Sequence, residues 1–246
     1  MTDAFVQISQ EDAILVIELN RAEKKNAITG GMYAALRDAL EEADQNDNVR
    51  VILLRGKGGV FTAGNDLGDF NNRPKDGPSQ GHRFLRVLQQ VKKPIIAEVQ
   101  GLAIGVGVTL LLHCDLVYAD AETRFRLPFV NLGLCPEAGS TLLLPLKAGH
   151  RAASELLLLG DFFTAEQALQ NGILNAVLPA ENLNGFVREQ AQKLAAQNPH
   201  AVLETKRLLK ERWDEPTAAR IEQECEIFDR LLQSDASRAA RAQTLK

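Results

Sequence analysis

The sequence predicts an α/β fold that ends in a helical region. Short β-branched runs alternate with helical patterns over the first two-thirds of the chain, and the pattern turns wholly helical beyond Gly139. No low-complexity linker separates the halves, only short breaks such as Asn171-Gly172 and Asn198-Pro199. Strand, helix, strand order implies parallel pairing with right-handed crossovers. The chain has 246 residues, and at roughly 150 residues per domain that allows one unit or two. A chain of this length buries roughly 70–75% of its unfolded surface, so one core needs no staples.

The elements follow in order. Ile14–Leu19 (ILVIEL) is a β-branched run closed by Asn20, and it predicts a strand. Thr29 is a fitting N-cap for a helix that brings Leu36, Leu40 and Ala43 onto one face. Residues 49–54 (VRVILL) predict a second strand, after which Gly56, Gly58 and Gly59 turn the chain. A helix is expected over 81–91 and a strand over 94–99, ending at Gly101. The apolar stretch 101–112 predicts a helix from about Gly105, followed by a strand at 116–119. Helices are then expected at 151–159, Ala165–Gln170, 183–197, 201–212 and 216–233.

Composition excludes several classes of function. Lys and Arg total 28 against 32 Asp and Glu, a net charge of −4, so a broad nucleic-acid footprint is not expected. Three widely spaced cysteines without C-x-x-C exclude a zinc ribbon or a disulfide framework and fit a reducing cytosol. The start, MTDAFVQISQED, lacks the basic and apolar regions of a signal peptide, and the final TLK is not an S-K-L address. The apolar stretch 101–112 is cut by His113 and Asp115, short of the about 20 residues that a membrane span needs. A cytoplasmic protein without membrane partners is expected.

Most catalytic motifs are missing. There is no G-x-S-x-G, and Asn65-Asp66 stands where a P-loop would continue with Lys and Ser/Thr. Gly101, Gly105 and Gly107 have the wrong spacing for a dinucleotide fingerprint. The four histidines form no i, i+4 ligand pair, and His113 on the apolar helix reads as a core histidine, so no metal is expected. Two glycine loops remain, FTAGNDL (61–67) and QGLAIGVGVTLL (100–111). Each alone reads as a tight strand-to-helix turn. Facing each other, they could aim two backbone N–H groups at one developing oxyanion.

Their surroundings sharpen the reading. LNRAEKKNAITGGMY, FTAGNDL, VQGLAIGVGVTLLLHCDLVYADAETRFRLPFVNLGLCPEAGS and FTAEQALQNGILNAVLP occur in this order. Together they resemble the crotonase superfamily, the enoyl-CoA hydratase/isomerase family, over nearly the whole chain. The resemblance implies a spiral of β-β-α turns over 1–195. It further implies a helical C-terminal region, 196–246, used in trimer contacts and in closing the acyl pocket. The implied ligands are acyl-CoA thioesters, with coenzyme A entering as part of the substrate and no further cofactor. A homotrimer or a dimer of trimers is expected. The amphipathic face of Ile221, Cys225, Phe228 and Leu232, which needs a partner, points the same way.

Carried over position by position, the family's oxyanion donors fall on the backbone N–H groups of Asn65 and Val106. The coenzyme-contacting segment maps to Arg21, Ala22 and Lys24, with Ala63, Asp66 and Leu67 beside the adenine and pantetheine. Lys24-Lys25 alone reads as a solvated loop. The two glutamates of the usual hydratases map to Thr109 and Phe129, neither of which can act as a base. The resemblance places a carboxylate instead at Glu137, in LGLCPEAGS. There the chain is similar to Δ3-Δ2-enoyl-CoA isomerases, whose PFxxLGxxPE segment carries a single catalytic glutamate. Phe129 would line the apolar pocket. Glu137 alone would read as a surface carboxylate near a helix N-terminus. The implied reaction is isomerisation of 3-enoyl-CoA to trans-2-enoyl-CoA. Hydration, another crotonase-type lyase reaction, or acyl-CoA binding without catalysis are the alternatives. Asp69 lies on the loop 69–79, rich in Asn, Pro and Gly, and is given no chemistry.

Overall fold

A computed structural model describes residues 3–72 and 77–244, so residues 73–76 of the loop 69–79 lie outside the described residues. Its frame is a six-stranded sheet in the order β1-β2-β3-β4-β6-β9. The strands are β1 (Val6–Glu11), β2 (Ile14–Leu19), β3 (Val51–Gly56), β4 (Ile95–Val99), β6 (Leu116–Asp120) and β9 (Ala176–Leu178). From β2 to β9 every pairing is parallel, and β1 folds back antiparallel on β2. Buried runs such as Val51–Leu54 suit a sheet covered on both faces.

A second sheet, in the order β5-β7-β8, is built from β5 (Leu102–Ile104), β7 (Arg124–Arg126) and β8 (Phe162–Thr164). The chain thus lays a strand in each sheet before turning into a helix. It runs β4–β5 into α3 (Val106–Thr109), then β6–β7 into α4 (Ser140–Ala148). This is the β-β-α spiral that the resemblance implied. The helix expected over 105–112 is one α turn continued by a 3-10 turn, Leu110–His113.

Helices cover both faces of the large sheet. α1 (Gly30–Gln45) begins as expected, with Thr29 Oγ1 accepting the Met32 N–H, and it buries Leu36, Leu40 and Ala43 in the main core. α2 (Gln80–Gln90) joins the same core. α5 (His150–Leu159) and α6 (Ala165–Gln170) complete the spiral. On the opposite face, α7 (Ala180–Ala195) buries Leu183, Val187 and Ala191 against Val16, Leu53, Ile96 and Tyr118.

The C-terminal region departs from the sequence reading in two ways. The helices expected at 201–212 and 216–233 are a single helix, α8 (Pro199–Leu232), that runs through Pro216. A proline removes one intrahelical N–H, but its fixed φ is compatible with a helix. Contacts from α2 hold the stretch before it: Lys210 Nζ donates to Gln89 O (2.5 Å) and Gln89 Nε2 to Asp214 O (3.2 Å). The apolar face of Ile221, Cys225, Phe228 and Leu232 packs into the main core of its own chain. That face therefore calls for no partner. α9 (Asp235–Thr244) then folds back over the turn Val130–Leu132, and Arg241 stacks 5.5 Å from the Phe70 ring centre.

Candidate active site

The two glycine loops meet as neighbouring strand ends. Thr62 and Ala103 form an isolated parallel bridge, with Thr62 N–H donating to Leu102 O (2.9 Å) and Ile104 N–H to Thr62 O (3.1 Å). Asn65 and Val106 each stand three residues beyond that bridge in sequence, Asn65 in its own isolated bridge to Ile28 and Val106 at the start of α3. Close approach requires glycine at Gly64, whose φ is +88° and where a Cβ would lie 2.6 Å from Ile104 O. At Gly107 a Cβ would lie 2.5 Å from Thr62 Cγ2.

Among the described residues no acceptor takes the N–H of Asn65 or of Val106. For Val106 this follows from its place as the first residue of α3, where helical N–H groups have no partner within the helix. Val106 is buried, and its side chain packs in the main core.

A cavity of about 190 Å³ opens at this junction. Of the expected site residues, Ala63, Asn65, Leu67 and Phe129 line it, together with Gly64 and Gly105. Phe70, Ile104, Leu132, Leu134 and Phe228 complete a mostly apolar wall, with Arg126 and Asn131 as polar members. Phe228 reaches it from α8, so the C-terminal region closes the cavity from within the same chain. Val106, Glu137, Arg21, Ala22, Lys24 and Asp66 lie outside this lining. Asp66 borders an adjoining cavity of about 70 Å³, separated from the first by Asn65 and Phe70.

Glu137 is not a surface carboxylate. It is 3% exposed, in a turn that begins three residues after the cavity-lining Leu134 and leads into α4. Ala138 (φ +65°) and Gly139 (φ +69°), the next two residues, are both left-handed. Thr109 is buried, and its hydroxyl makes a long contact to Val106 O (3.5 Å). No carboxylate therefore stands at 109 or 129.

The expected coenzyme segment forms one connected unit. Arg21 Nη1 donates to Asp66 Oδ2 (2.6 Å) and to Ala27 O (3.0 Å). Burial pushes the Asp66 carboxyl up, but Arg21 and the Gly68 N–H overcome it and hold it below the usual range. Ala22 and Lys24 sit exposed on a 3-10 turn, Ala22–Lys24. Beneath the loop, Asn26 is wholly buried. Its Nδ2 donates to Lys57 O (3.0 Å) and Val60 O (2.6 Å), and its Oδ1 accepts the Arg21 N–H (2.8 Å).

Several supporting residues escaped the sequence reading. Tyr33 Oη donates to Asn65 Oδ1 (2.5 Å) across 32 residues of sequence, and no local pattern announces that contact. Asp69 has a capping role, since its Oδ2 accepts the Gly30 N–H at the start of α1 (2.6 Å). His113 is a core histidine as expected, with Nε2 2.7 Å from Ala138 O. Burial, foremost, lowers its pKa to about 4. Asp115 is structural, accepting the Ile95 N–H and pairing with Lys206 (2.7 Å). Among the described residues there is no group of three or more potential metal ligands, and no helix long and apolar enough to cross a membrane.

The whole length of this architecture has known counterparts. A family model described as Enoyl-CoA hydratase/isomerase matches residues 9–244. The chain is 37% identical to the 1,2-epoxyphenylacetyl-CoA isomerase of Escherichia coli, covering 78% of this chain and 77% of that protein. It is 32% identical to the 2,3-dehydroadipyl-CoA hydratase of Escherichia coli, over 90% and 88% of the respective chains. Human enoyl-CoA delta isomerase 2 is 32% identical over 90% of this chain and 58% of its own length. Among solved structures, OdaA of Pseudomonas aeruginosa superimposes with a TM-score of 0.95 at 40% identity, over 99% of both chains.

Proposed function

The chain belongs to the enoyl-CoA hydratase/isomerase family, and from that premise we propose that it isomerises 3-enoyl-CoA to trans-2-enoyl-CoA with Glu137 as its single base. One observation carries the choice of reaction. Glu137 supplies a buried carboxylate three residues along the chain from the cavity-lining Leu134, whereas Thr109 and Phe129 leave none at the positions where the resemblance puts the hydratase pair. Two of the three named relatives are isomerases, which supports the same reading.

In the proposed reaction the Glu137 carboxylate takes a proton from C2 of the bound thioester. The electron pair delocalises onto the thioester oxygen, where the Asn65 and Val106 N–H groups stabilise the enolate. The same carboxyl returns the proton at C4, and the double bond moves from C3–C4 to C2–C3 without water entering. Loss of one oxyanion-hole donor costs about 3–4 kcal/mol of transition-state stabilisation where preorganised donors hold an acyl oxyanion. The apolar wall of Phe70, Phe129 and Phe228 serves to keep water from the dienolate.

The coenzyme would lie along Ala63, Asp66 and Leu67, next to Arg21, Ala22 and Lys24. Arg21 braces that loop through Asp66, and the exposed Lys24 offers a cation to the phosphates. We place the activity in the cytoplasm, in the degradation of unsaturated acyl chains, and the assembly as a trimer or a dimer of trimers. Sedimentation tests the assembly, where a monomer mass at every concentration would exclude it.

The test of the reaction is Glu137→Gln, nearly isosteric but unable to shuttle a proton. Turnover of 3-hexenoyl-CoA should fall by at least about 10²-fold with KM little changed. Asp69→Asn, which keeps an acceptor for the Gly30 cap, should lose far less. Loss of the crotonyl-CoA absorbance at a comparable rate would favour hydration instead. Undiminished isomerisation by Glu137→Gln would remove the base assignment.

A further inference from the structure

The turn that carries Glu137 is gripped from two sides by buried groups that are not among the residues lining the cavity. Ala138, the residue after Glu137, is a non-glycine residue with φ +65° and no exposed surface. Such a conformation is unfavourable on its own and persists where the surroundings over-determine it. His113 supplies one constraint, with Nε2 2.7 Å from Ala138 O. A carbonyl oxygen can only accept, so Nε2 carries the hydrogen and the ring is held as that tautomer. Its pKa of about 4, lowered first by burial, keeps it neutral at ordinary pH.

Glu224 supplies the other constraint from α8, far along the chain. Its Oε2 accepts the Gly139 N–H (2.6 Å). Its Oε1 accepts the Thr141 N–H (2.9 Å) and the Thr141 hydroxyl (2.6 Å). Arg220 Nη1 in turn donates to Thr141 Oγ1 (2.9 Å). A carboxylate 3% exposed thus takes three donors at the start of α4, where the helix dipole also favours negative charge. The carbonyl on one side of the turn and two N–H groups on the other are therefore fixed from separate elements.

We infer that His113 and Glu224 are positioning residues for the base, together setting the Glu137 turn so that its carboxylate meets the acyl chain. The inference rests on the reading of Glu137 as the base. It also ties the C-terminal helix to the chemistry through a hydrogen-bonded clamp, in addition to the apolar wall at Phe228.

The test compares His113→Leu, His113→Gln and Glu224→Ala with wild type and Glu137→Gln in the full-length protein. His113→Leu and Glu224→Ala should each lower kcat for 3-hexenoyl-CoA by at least about tenfold with KM within about threefold, since small misplacements of catalytic groups can cost 10²-fold. His113→Gln places an amide N–H near the lost Nε2–H and should restore kcat to within about threefold of wild type. Hydrogen exchange at the Gly139 and Thr141 amides reads the clamp without substrate. It should accelerate by at least about tenfold in Glu224→Ala, while the Ile96 amide of the central sheet stays protected and reports that the fold is intact. Wild-type kcat in His113→Leu or Glu224→Ala with Ile96 protected overturns the inference. So do an effect confined to KM and unchanged exchange at Gly139 and Thr141. An active Glu137→Gln overturns the base assignment instead, which separates the two failures.

Discussion

Gly64→Ala perturbs the proposed oxyanion hole without touching any group that does chemistry. The new methyl has two effects. A φ of +88° is unfavourable for alanine, at about 1–2 kcal/mol. The Cβ would also lie 2.6 Å from Ile104 O, a main-chain atom held in place by the bridge between Thr62 and Ala103. Ordinary contact needs several tenths of an ångström more, so the two strand ends must part. Overpacking of this kind adds about 1–3 kcal/mol, and folding stability should fall by about 2–5 kcal/mol in all.

The separation acts directly on the donors, because Asn65 follows Gly64 and Val106 lies two residues after Ile104. A donor moved out of reach of the thioester oxygen should lower kcat by about 10²–10³-fold. The control is Gly59→Ala, whose φ is +71° but whose Cβ would meet nothing within 4 Å. It carries the backbone strain without the clash, so it should lose about 1–2 kcal/mol of stability and keep its turnover. Urea unfolding gives the stability change of both variants, and 3-hexenoyl-CoA turnover gives kcat and KM. If folded Gly64→Ala keeps kcat within about threefold of wild type, the apposition of Asn65 and Val106 is not what polarises the substrate.

Two further outcomes follow from the same geometry. Asn26→Ala should destabilise the fold by at least about 3 kcal/mol in urea unfolding, because it strands the Lys57 and Val60 carbonyls and the Arg21 N–H that Asn26 satisfies; a loss under about 1 kcal/mol would mean that water replaces those bonds. His113 has a folded pKa of about 4 against an ordinary value of 6.5, so the unfolded chain binds the extra proton and stability falls as pH drops from 6.5 toward 4. The loss at full protonation is about 3 kcal/mol, opposed in part by the buried Glu98 and Glu224 carboxyls, which burial raises. Urea unfolding of His113→Gln at pH 7 and pH 4.5 should show a shallower acid loss than wild type, and equal slopes would rule this account out.

The legible parts of the fold are those where one local signal dominates. β2 and α6 fall on the residues expected, Ile14–Leu19 and Ala165–Gln170, because a β-branched run and a Thr164 capping box mark them. The strands β5, β7 and β8 have three residues each, too few to show a period. β1 is an edge strand with only Val6 buried, so its polar sequence carries no core signal. Pro216 inside α8 reads as a break between 201–212 and 216–233, and the contacts from α2 hold the helix on its N-terminal side. At the site, the glycine loops were legible because close backbone approach excludes side chains at Gly64 and Gly107. The clamp on the Glu137 turn was not, since Glu224 meets Gly139 across 85 residues.

This difference follows from how the site divides its work between main chain and side chains. The proposed oxyanion donors are N–H groups, so they depend on strand register and glycine placement and are indifferent to the side chain they belong to. Val106 can therefore stand at the head of α3 with its side chain turned into the core, and the donor is unchanged. The choice of reaction depends instead on which few positions around one cavity carry a carboxylate. With threonine at 109, phenylalanine at 129 and glutamate at 137, the base of the proposed reaction falls at 137, and the sheet is unaffected by which of these positions carries it. A scaffold of this kind shows its family throughout its length, while its chemistry rests on single side chains. The turn after Glu137 is held by His113 and Glu224 on other elements, contacts that no short stretch of sequence contains.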